Sequence, residues 1–266
     1  MSIGVRVGII GGNGWLGNAI ARAAVASGVV EAAQLVLSGR SNLRSEAEIP
    51  GSRFTRDNDD LVRHCDVVVL SVRPDQFHDV RIDARDRLVV SVMAGIPARS
   101  IAERTGATEV VRSIPNAAAA IGKSFTPWFA APSVSVESKR LVQALFEACG
   151  DAAEVHLESH IDYCVGMTGS GAAFPALLAE ALVAHAVSQG LPENFSRRAA
   201  KGVVAGASQL FAAETEDSAQ IVRAMIDYRG TTAAALQAML DSGFNEAVAA
   251  GLEAASARAS AMATSE

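Results

Sequence analysis

Residues 5–17 read VRVGIIGGNGWLG and are the strongest indication of fold class in this sequence. The first half of this stretch, residues 5–10, is short, apolar and rich in β-branched side chains, as is typical of a buried strand. Its second half fits the pattern G-x-G-x-x-G from Gly12 to Gly17 and leads into a helical pattern over residues 16–27. A strand, a glycine-rich turn and a helix in this order predict a dinucleotide-binding unit.

The glycine-rich turn predicts a binding place for a pyrophosphate. The first glycine permits a tight turn, the second lets the backbone approach the phosphates, and the third lets helix and strand pack closely. The helix N-terminus adds unpaired N–H groups and a partial positive charge. The alternative is a glycine-rich turn that holds no ligand. The predicted cofactor contacts are Gly12, Asn13, Gly14, Trp15, Leu16 and Gly17.

The end of the second predicted strand, residues 35–37, favours one nicotinamide cofactor over the other. A carboxylate at this position would bind the ribose 2′-hydroxyl of NADH, but residues 38–45 contain neither aspartate nor glutamate, and the next carboxylate is Glu46. Arg40 offers a guanidinium fork that suits a 2′-phosphate, so the sequence predicts NADPH, with NADH weaker. A solvated loop arginine is the alternative. Neighbouring hydrogen-bond donors that we expect in the same contact are Ser38, Ser41 and Asn42.

Strand patterns alternate with helix-length segments through the first half of the chain. They recur at residues 66–72, 87–92, 109–112 and 124–129, whereas residues 39–60 show few signals of either kind. Alternation of this type predicts an α/β fold with a parallel, doubly wound, Rossmann-like sheet. We place this dinucleotide-binding domain at residues 1–157.

The second half is rich in alanine and is predicted to be entirely helical, which gives a second domain at residues 158–266. Helical patterns cover residues 174–189, 195–213, 231–240 and 246–262. These segments are apolar nearly all round, which favours burial against another chain. The alternative is a large helical core within one chain.

Composition narrows the possible functions. The 266 residues are 50% hydrophobic and 20% charged, enough for a large core, and the net charge of -6 disfavours nucleic acid as a partner. The three cysteines lack disulfide or zinc spacing, and the five histidines lack metal-ligand spacing, so no metal is predicted. No uninterrupted apolar run reaches about 18 residues, and no signal-peptide pattern is visible, so we expect a cytoplasmic protein without membrane contact.

The chain is poor in residues that transfer protons. Neither Tyr163 nor Tyr228 has a lysine four positions later, and Gly169-Ser170-Gly171 does not form a nucleophile elbow. An iminium ion already carries its proton and accepts a hydride at carbon without a strong general acid. Alignment then matters more than proton transfer, and a C=N substrate is favoured.

Six short segments lie in order along nearly the whole chain, at residues 71–74, 92–96, 111–116, 169–174, 230–232 and 242–244. Together they resemble the pyrroline-5-carboxylate reductase family. The resemblance implies reduction of the cyclic imine Δ1-pyrroline-5-carboxylate to proline with NAD(P)H. It also implies a helical domain that dimerises by interlocking helices, and dimers that often assemble into larger rings. Cofactor contacts that the resemblance implies are Ser71, Val72, Arg73, Pro74, Ala94, Gly95 and Asn116.

The resemblance also implies a substrate loop at Gly230, Thr231 and Thr232. There the backbone N–H groups at a helix start would hold the substrate carboxylate, and the Thr232 hydroxyl would face the imine nitrogen as the catalytic group. A plain threonine N-cap is the alternative. Before this loop the chain has Asp227-Tyr228-Arg229, where the family has Ser-Pro-Gly, and we expect Asp227 and Arg229 to contact the substrate.

Three other functions compete with this one. The altered loop favours a reductase of a different cyclic imine or small carboxylate. A non-catalytic NADPH-binding relative is the second. A β-hydroxyacid dehydrogenase is the third, but Pro175 stands near the place of that family's catalytic lysine.

Overall fold

The computed structural model describes residues 4–41, 48–213 and 217–263. Contacts divide the chain into two compact units, Met1–Ser170 with Glu253–Glu266, and Gly171–Leu252. The division after residue 157 remains a prediction.

In the described part of the chain, eight strands form one sheet in the order β3-β2-β1-β4-β5-β6-β7-β8. Their bounds are β1 Val7–Ile10, β2 Leu35–Ser38, β3 Arg53–Thr55, β4 Val67–Leu70, β5 Leu88–Ser91, β6 Glu109–Ser113, β7 Ser124–Ala130 and β8 Gly150–Glu154. Every neighbouring pair is parallel except β6 and β7, which are antiparallel. The predicted Rossmann-like sheet is confirmed. The exception has a simple cause, since residues 114–123 are shorter than the dozen or so residues that a parallel crossover needs.

Helices cover the sheet of the first unit, and apolar side chains fill the space on both faces. The bounds are α1 Trp15–Ala26, α2 Asn58–His64, α3 Ala98–Thr105, α4 Val136–Glu147 and α5 Glu158–Cys164. Successive strand residues point to opposite faces, so Val69 and Val90 join one core cluster while Val68 and Val89 join the other.

The sequence analysis missed β3, which lies within residues 39–60, and α2, which begins at the end of that segment and runs from Asn58 to His64. β3 has only three residues and none of them is fully buried. α2 is mostly polar and buries only Leu61 and Val62, so its apolar period is too short to detect. One local signal was available, because the Asp57 side chain caps α2 by accepting from the Asp59 N–H at 2.9 Å.

The second unit is helical, as predicted. Its helices are α6 Ala173–Ser188, α7 Glu193–Lys201, α8 Ala207–Ala213, α9 Ser218–Asp227 and α10 Thr231–Asp241, and α11 Phe244–Ala263 follows. The single helix predicted over residues 195–213 is interrupted, because Gly202–Gly206 forms a wider π-type turn. The missed helix α9 begins with a capping box formed by Asp217 and Gln220.

The described helices of this unit leave large apolar side chains exposed. Leu177 is 72% exposed, Leu210 70% and Phe211 56%. A folded monomer rarely leaves so many exposed together. The alternative of a helical core buried within one chain therefore has no support here.

One continuous helical stretch, Glu158–Ser188, is long and apolar enough to cross a membrane by length and composition, and 6% of its most apolar window is buried. This stretch is not an uninterrupted apolar run in the sequence, because it contains polar residues such as Ser170. A single candidate of this kind is weak evidence. The absence of membrane contact stays a prediction.

A buried arginine ties β6 to α5. Arg112 is 2% exposed, and its Nη1 and Nη2 lie 2.8 Å from Glu158 Oε1 and 2.7 Å from Asp162 Oδ1. Glu158 Oε1 also accepts from the Ala98 N–H at the start of α3. Loss of one partner from a buried ion network leaves the remaining charges without compensation.

We expect Arg112→Met to lower the free energy of unfolding by roughly 2–4 kcal/mol, since two half-buried carboxylates lose their partner. Arg99→Met is the matched control, because the Arg99–Glu103 pair is exposed to solvent and contributes little to stability. Urea unfolding at a fixed protein concentration measures both. Equal effects of the two substitutions would contradict this role of Arg112.

Candidate cofactor site and substrate loop

The candidate cofactor site lies where the order of the strands reverses. From β1 the chain runs outward through β2 and β3, and β4 then pairs with the other side of β1. A crevice forms beyond the carboxyl ends of the strands at such a point. Here it is a cavity of about 770 Å³, lined by segments that follow β1, β2, β3 and β4.

The tight turn after β1 depends on Gly11. Its φ is +83°, and the N–H groups of Gly11 and Gly12 both donate to the Ser38 carbonyl oxygen, at 3.0 and 2.9 Å. A Cβ on Gly11 would lie 2.2 Å from the Ser71 carbonyl oxygen. The left-handed turn residue therefore precedes the first glycine of the predicted pattern, and Gly12 instead packs against Leu37. The sequence could not show which of these two adjacent glycines has the left-handed backbone, because both can adopt it.

Helix α1 presents an N-terminus without a side-chain cap. Gly14 is its N-cap, with an extended backbone, and no acidic residue lies in the first turn. A Cβ on Gly17 would lie 2.7 Å from the Gly11 carbonyl oxygen, so the third glycine allows the close packing that the pattern predicts. The first N–H groups of such a helix suit a phosphate.

The segment after β2 lines the same cavity through Gly39, Arg40 and Ser41. Asn13 Nδ2 donates to Ser41 Oγ at 3.1 Å, which joins the glycine turn to this segment. Asn42 lies outside the described residues.

Ser38, by contrast, is fully buried and donates to Asn58 Oδ1 at 2.7 Å. It holds Asn58 in place and does not line the cavity.

Two further lining residues, Arg56 and Asn58, were missed because they follow the undetected strand β3. Arg56 Nη2 donates to the Arg40 carbonyl oxygen at 3.0 Å. A signal existed in the sequence, since Arg56 follows an apolar and β-branched pair, Phe54 and Thr55.

The segment after β4 forms the opposite wall through Ser71, Val72 and Arg73. The Ser71 N–H donates to the Ile10 carbonyl oxygen at 2.8 Å, which keeps this segment beside the glycine turn. Pro74 begins a 3₁₀ turn, Pro74–Asp79, and does not itself line the cavity. Other lining residues that the sequence analysis missed are Ile10, Gly11, Gly39, Gln76, Asp79, Val80 and Val92.

Three predicted contacts lie elsewhere in the first unit. Ala94 and Gly95 form the turn after β5, where Gly95 has φ +74°, and they do not line the cavity. The Asn116 side chain is committed to structure, since its Oδ1 accepts from the Ala118 N–H at 2.9 Å and its Nδ2 donates to the Thr168 carbonyl oxygen at 3.0 Å. Their cofactor roles stay predictions.

The substrate loop belongs to the second unit. Asp227 ends α9, and Tyr228 is 86% exposed. Arg229 has a φ of +57°, and it is the only non-glycine residue in the described ranges with a positive φ. Gly230 is the N-cap of α10, with no side-chain cap, and Thr231 and Thr232 are the first two helical residues. The alternative of a threonine N-cap is therefore wrong, because glycine occupies that position.

Groups that transfer protons are scarce in the cofactor cavity. Its described lining includes Arg40, Arg56, Arg73 and a single acid, Asp79, but no histidine, lysine, cysteine or tyrosine. Burial raises the pKa of the Cys65 and Cys149 thiols to about 12, so these thiols stay protonated near neutral pH. Within the described ranges, no group of three histidine, cysteine, aspartate or glutamate side chains is placed to hold a metal ion. This cavity suits binding and alignment of an anionic ligand.

Comparison with known proteins gives a family match in each half of the chain. A family model described as pyrroline-5-carboxylate reductase dimerisation matches residues 158–262, and one described as NADP oxidoreductase coenzyme F420-dependent matches residues 6–95. Pyrroline-5-carboxylate reductase 3 of Rattus norvegicus is 30% identical over 261 residues, covering 96% of this chain and 94% of the relative. Pyrroline-5-carboxylate reductase of Glycine max is 31% identical over 240 residues, covering 88% and 87%.

A solved structure confirms the fold. The crystal structure of Plasmodium falciparum pyrroline carboxylate reductase with NADP bound has a TM-score of 0.83 at 23% identity. The match covers 99% of this chain and 100% of that one.

We expect Gly17→Ala to weaken NADPH binding by about tenfold or more, because the added Cβ pushes α1 away from the Gly11 carbonyl and displaces the helix N-terminus. Fluorescence titration with NADPH measures this. Gly251→Ala is the control, since nothing lies within 4 Å of its Cβ position. Unchanged affinity in Gly17→Ala would remove this helix N-terminus from the phosphate site.

Proposed function

Since the chain belongs to the pyrroline-5-carboxylate reductase family, we propose that it reduces the C=N bond of Δ1-pyrroline-5-carboxylate to give proline, with NADPH as the hydride donor. The observation that carries this proposal is the similarity to enzymes of that name over nearly the whole chain. The cavity supports it independently, because an uncapped helix N-terminus and three arginines suit a phosphorylated dinucleotide.

The chemistry divides between the cofactor and the protein. When bound, the dinucleotide would supply a hydride to the imine carbon, and the C=N π electrons would become a lone pair on nitrogen. The start of α1 would hold the pyrophosphate, and Arg40 would hold the 2′-phosphate. The N–H groups at the start of α10 hold the substrate carboxylate, and the Thr232 hydroxyl hydrogen-bonds the ring nitrogen. The scarcity of acids in the cofactor cavity fits a substrate that enters already protonated.

The dimerisation model over residues 158–262 and the exposed apolar side chains of the second unit indicate an oligomer. We infer that this oligomer is a homodimer formed through the helices, which buries those side chains. A larger ring of dimers and a cytoplasmic location belong to the same proposal.

A second candidate function, reduction of a different cyclic imine, is favoured by the backbone of Arg229. A left-handed conformation is costly for arginine and suits the glycine that the family has at this place. A large cationic side chain beside the carboxylate-binding helix start changes the space and charge available to the ring.

Steady-state assays that follow NADPH oxidation test both functions with a five-ring, a six-ring and a sulfur-containing imine. We expect the highest kcat/KM with pyrroline-5-carboxylate. A preference of tenfold or more for another imine would establish the second candidate in its place, and NADPH binding without turnover on any imine would contradict both.

Thr232→Ala should lower kcat/KM, because a hydrogen bond to the reacting nitrogen is lost. The expected loss of transition-state stabilisation is about 1–3 kcal/mol. Thr232→Ser keeps the hydroxyl and should retain most of the activity. Thr108→Ala, in the first unit, is the control for general effects of the substitution. If Thr232→Ala leaves the kinetics unchanged, Thr232 is not in the site.

Arg40→Asp should raise KM for NADPH far more than KM for NADH, since the new carboxylate repels the 2′-phosphate and accepts from a 2′-hydroxyl. Steady-state kinetics with each cofactor at a saturating imine concentration measures the ratio. Equal changes for both cofactors would mean that Arg40 does not contact the 2′-phosphate.

A further inference from the structure

Arg56 leaves the sheet beside Arg40. β2 and β3 are parallel neighbours with Ser38 opposite Thr55, so the residues that follow them emerge at the same edge. Arg40 comes two positions after Ser38, and Arg56 comes directly after Thr55. The two arginines line one cavity, and Arg56 Nη2 donates to the Arg40 carbonyl oxygen at 3.0 Å. They form an arginine pair in the part of the cavity that is lined by the segments after β2 and β3.

The charges of this pair are not neutralised within the described residues, where neither arginine makes an ion pair. Asp57 follows Arg56 but serves elsewhere: it caps α2 and lies 3.7 Å from Arg63 Nη2. Of the five N–H donors of a guanidinium, Arg56 directs one to the Arg40 backbone. The others are left for a ligand, and the bond to the backbone keeps the guanidinium close to Arg40.

Two cations at one place suit a dianion. A phosphate monoester carries about −1.5 to −2 charges near neutral pH, which a single arginine does not balance. Each guanidinium offers a fork that matches two phosphate oxygens. The 2′-hydroxyl that replaces this phosphate in NADH offers no such charge.

We propose that Arg56 is a second specificity-determining residue, which binds the 2′-phosphate of NADPH together with Arg40. The proposal rests on the proposed function only in taking NADPH as the cofactor. It extends the cofactor site to β3, a strand that the glycine-rich pattern does not include. Removal of Arg56 should then weaken the binding of ligands that carry a 2′-phosphate and leave the binding of other ligands unchanged.

Equilibrium binding of 2′,5′-ADP and of AMP to the full-length protein tests this without any catalytic step, because the two nucleotides differ only in the 2′-phosphate. We expect Arg56→Gln to weaken 2′,5′-ADP binding about tenfold and to change AMP binding less than twofold. Arg56→Lys, which keeps the charge but not the fork, should recover part of the loss.

Arg63→Gln is the matched control, since it removes the same charge from an arginine of α2 that is paired with Asp57 and Asp60. It should leave the ratio of the two affinities unchanged. Equal losses of both nucleotides in Arg56→Gln would show a purely structural role, and no loss would show no contact; either result overturns the proposal.

The same measurements separate this inference from the proposed function. A protein that prefers 2′,5′-ADP through Arg56 but turns over no imine contradicts the function and supports the role of Arg56. A wild-type protein that binds the two nucleotides equally overturns the role of Arg56, even where imine reduction with NADH proceeds.

Discussion

The first unit is organised around a place where three pieces of backbone meet without room for a side chain. The turn at Gly11 lies against the Ser71 carbonyl on one side and against Gly17 of α1 on the other. This contact brings the start of α1 over the carboxyl ends of β1 and β4. A Cβ at Gly11 or Gly17 would collide with backbone atoms, which cannot move as a flexible side chain can. Close approach therefore both holds the helix on the sheet and exposes its N-terminus to a ligand.

Sheet order then determines which side chains join this turn. Because β1 lies between β2 and β4, segments distant in sequence meet at one edge. Arg40 arrives from β2, Arg56 from β3 and Arg73 from β4. An acidic chain thus concentrates positive charge in one cavity, beside the helix end that also attracts anions. Selection of an anionic cofactor follows from this local field and not from net charge.

The second unit is stabilised differently. Its helices bury few large side chains of their own, and apolar residues such as Leu177 and Leu210 remain exposed. An apolar surface of this extent is stabilising only when another surface covers it. The match of residues 158–262 to a dimerisation family gives that exposure a function. The unit is therefore best understood as part of an oligomer.

The strand–glycine–helix unit, the mostly parallel sheet, the helical second half and the family could all be predicted from the sequence. These depend on local periodicity and on glycines whose need for space shows in short patterns. The sequence could not distinguish Gly11 from Gly12 as the turn residue, because both are compatible with a left-handed backbone. It missed β3 and with it Arg56, since a strand of three partly buried residues has no period to detect. Nor could it foresee that Ser38 holds Asn58 or that Asn116 Nδ2 donates to the Thr168 carbonyl oxygen, because these partners are distant in sequence. Only the tertiary structure decided these roles, since a polar side chain is committed to structure or left for a ligand by the neighbours that the fold brings to it.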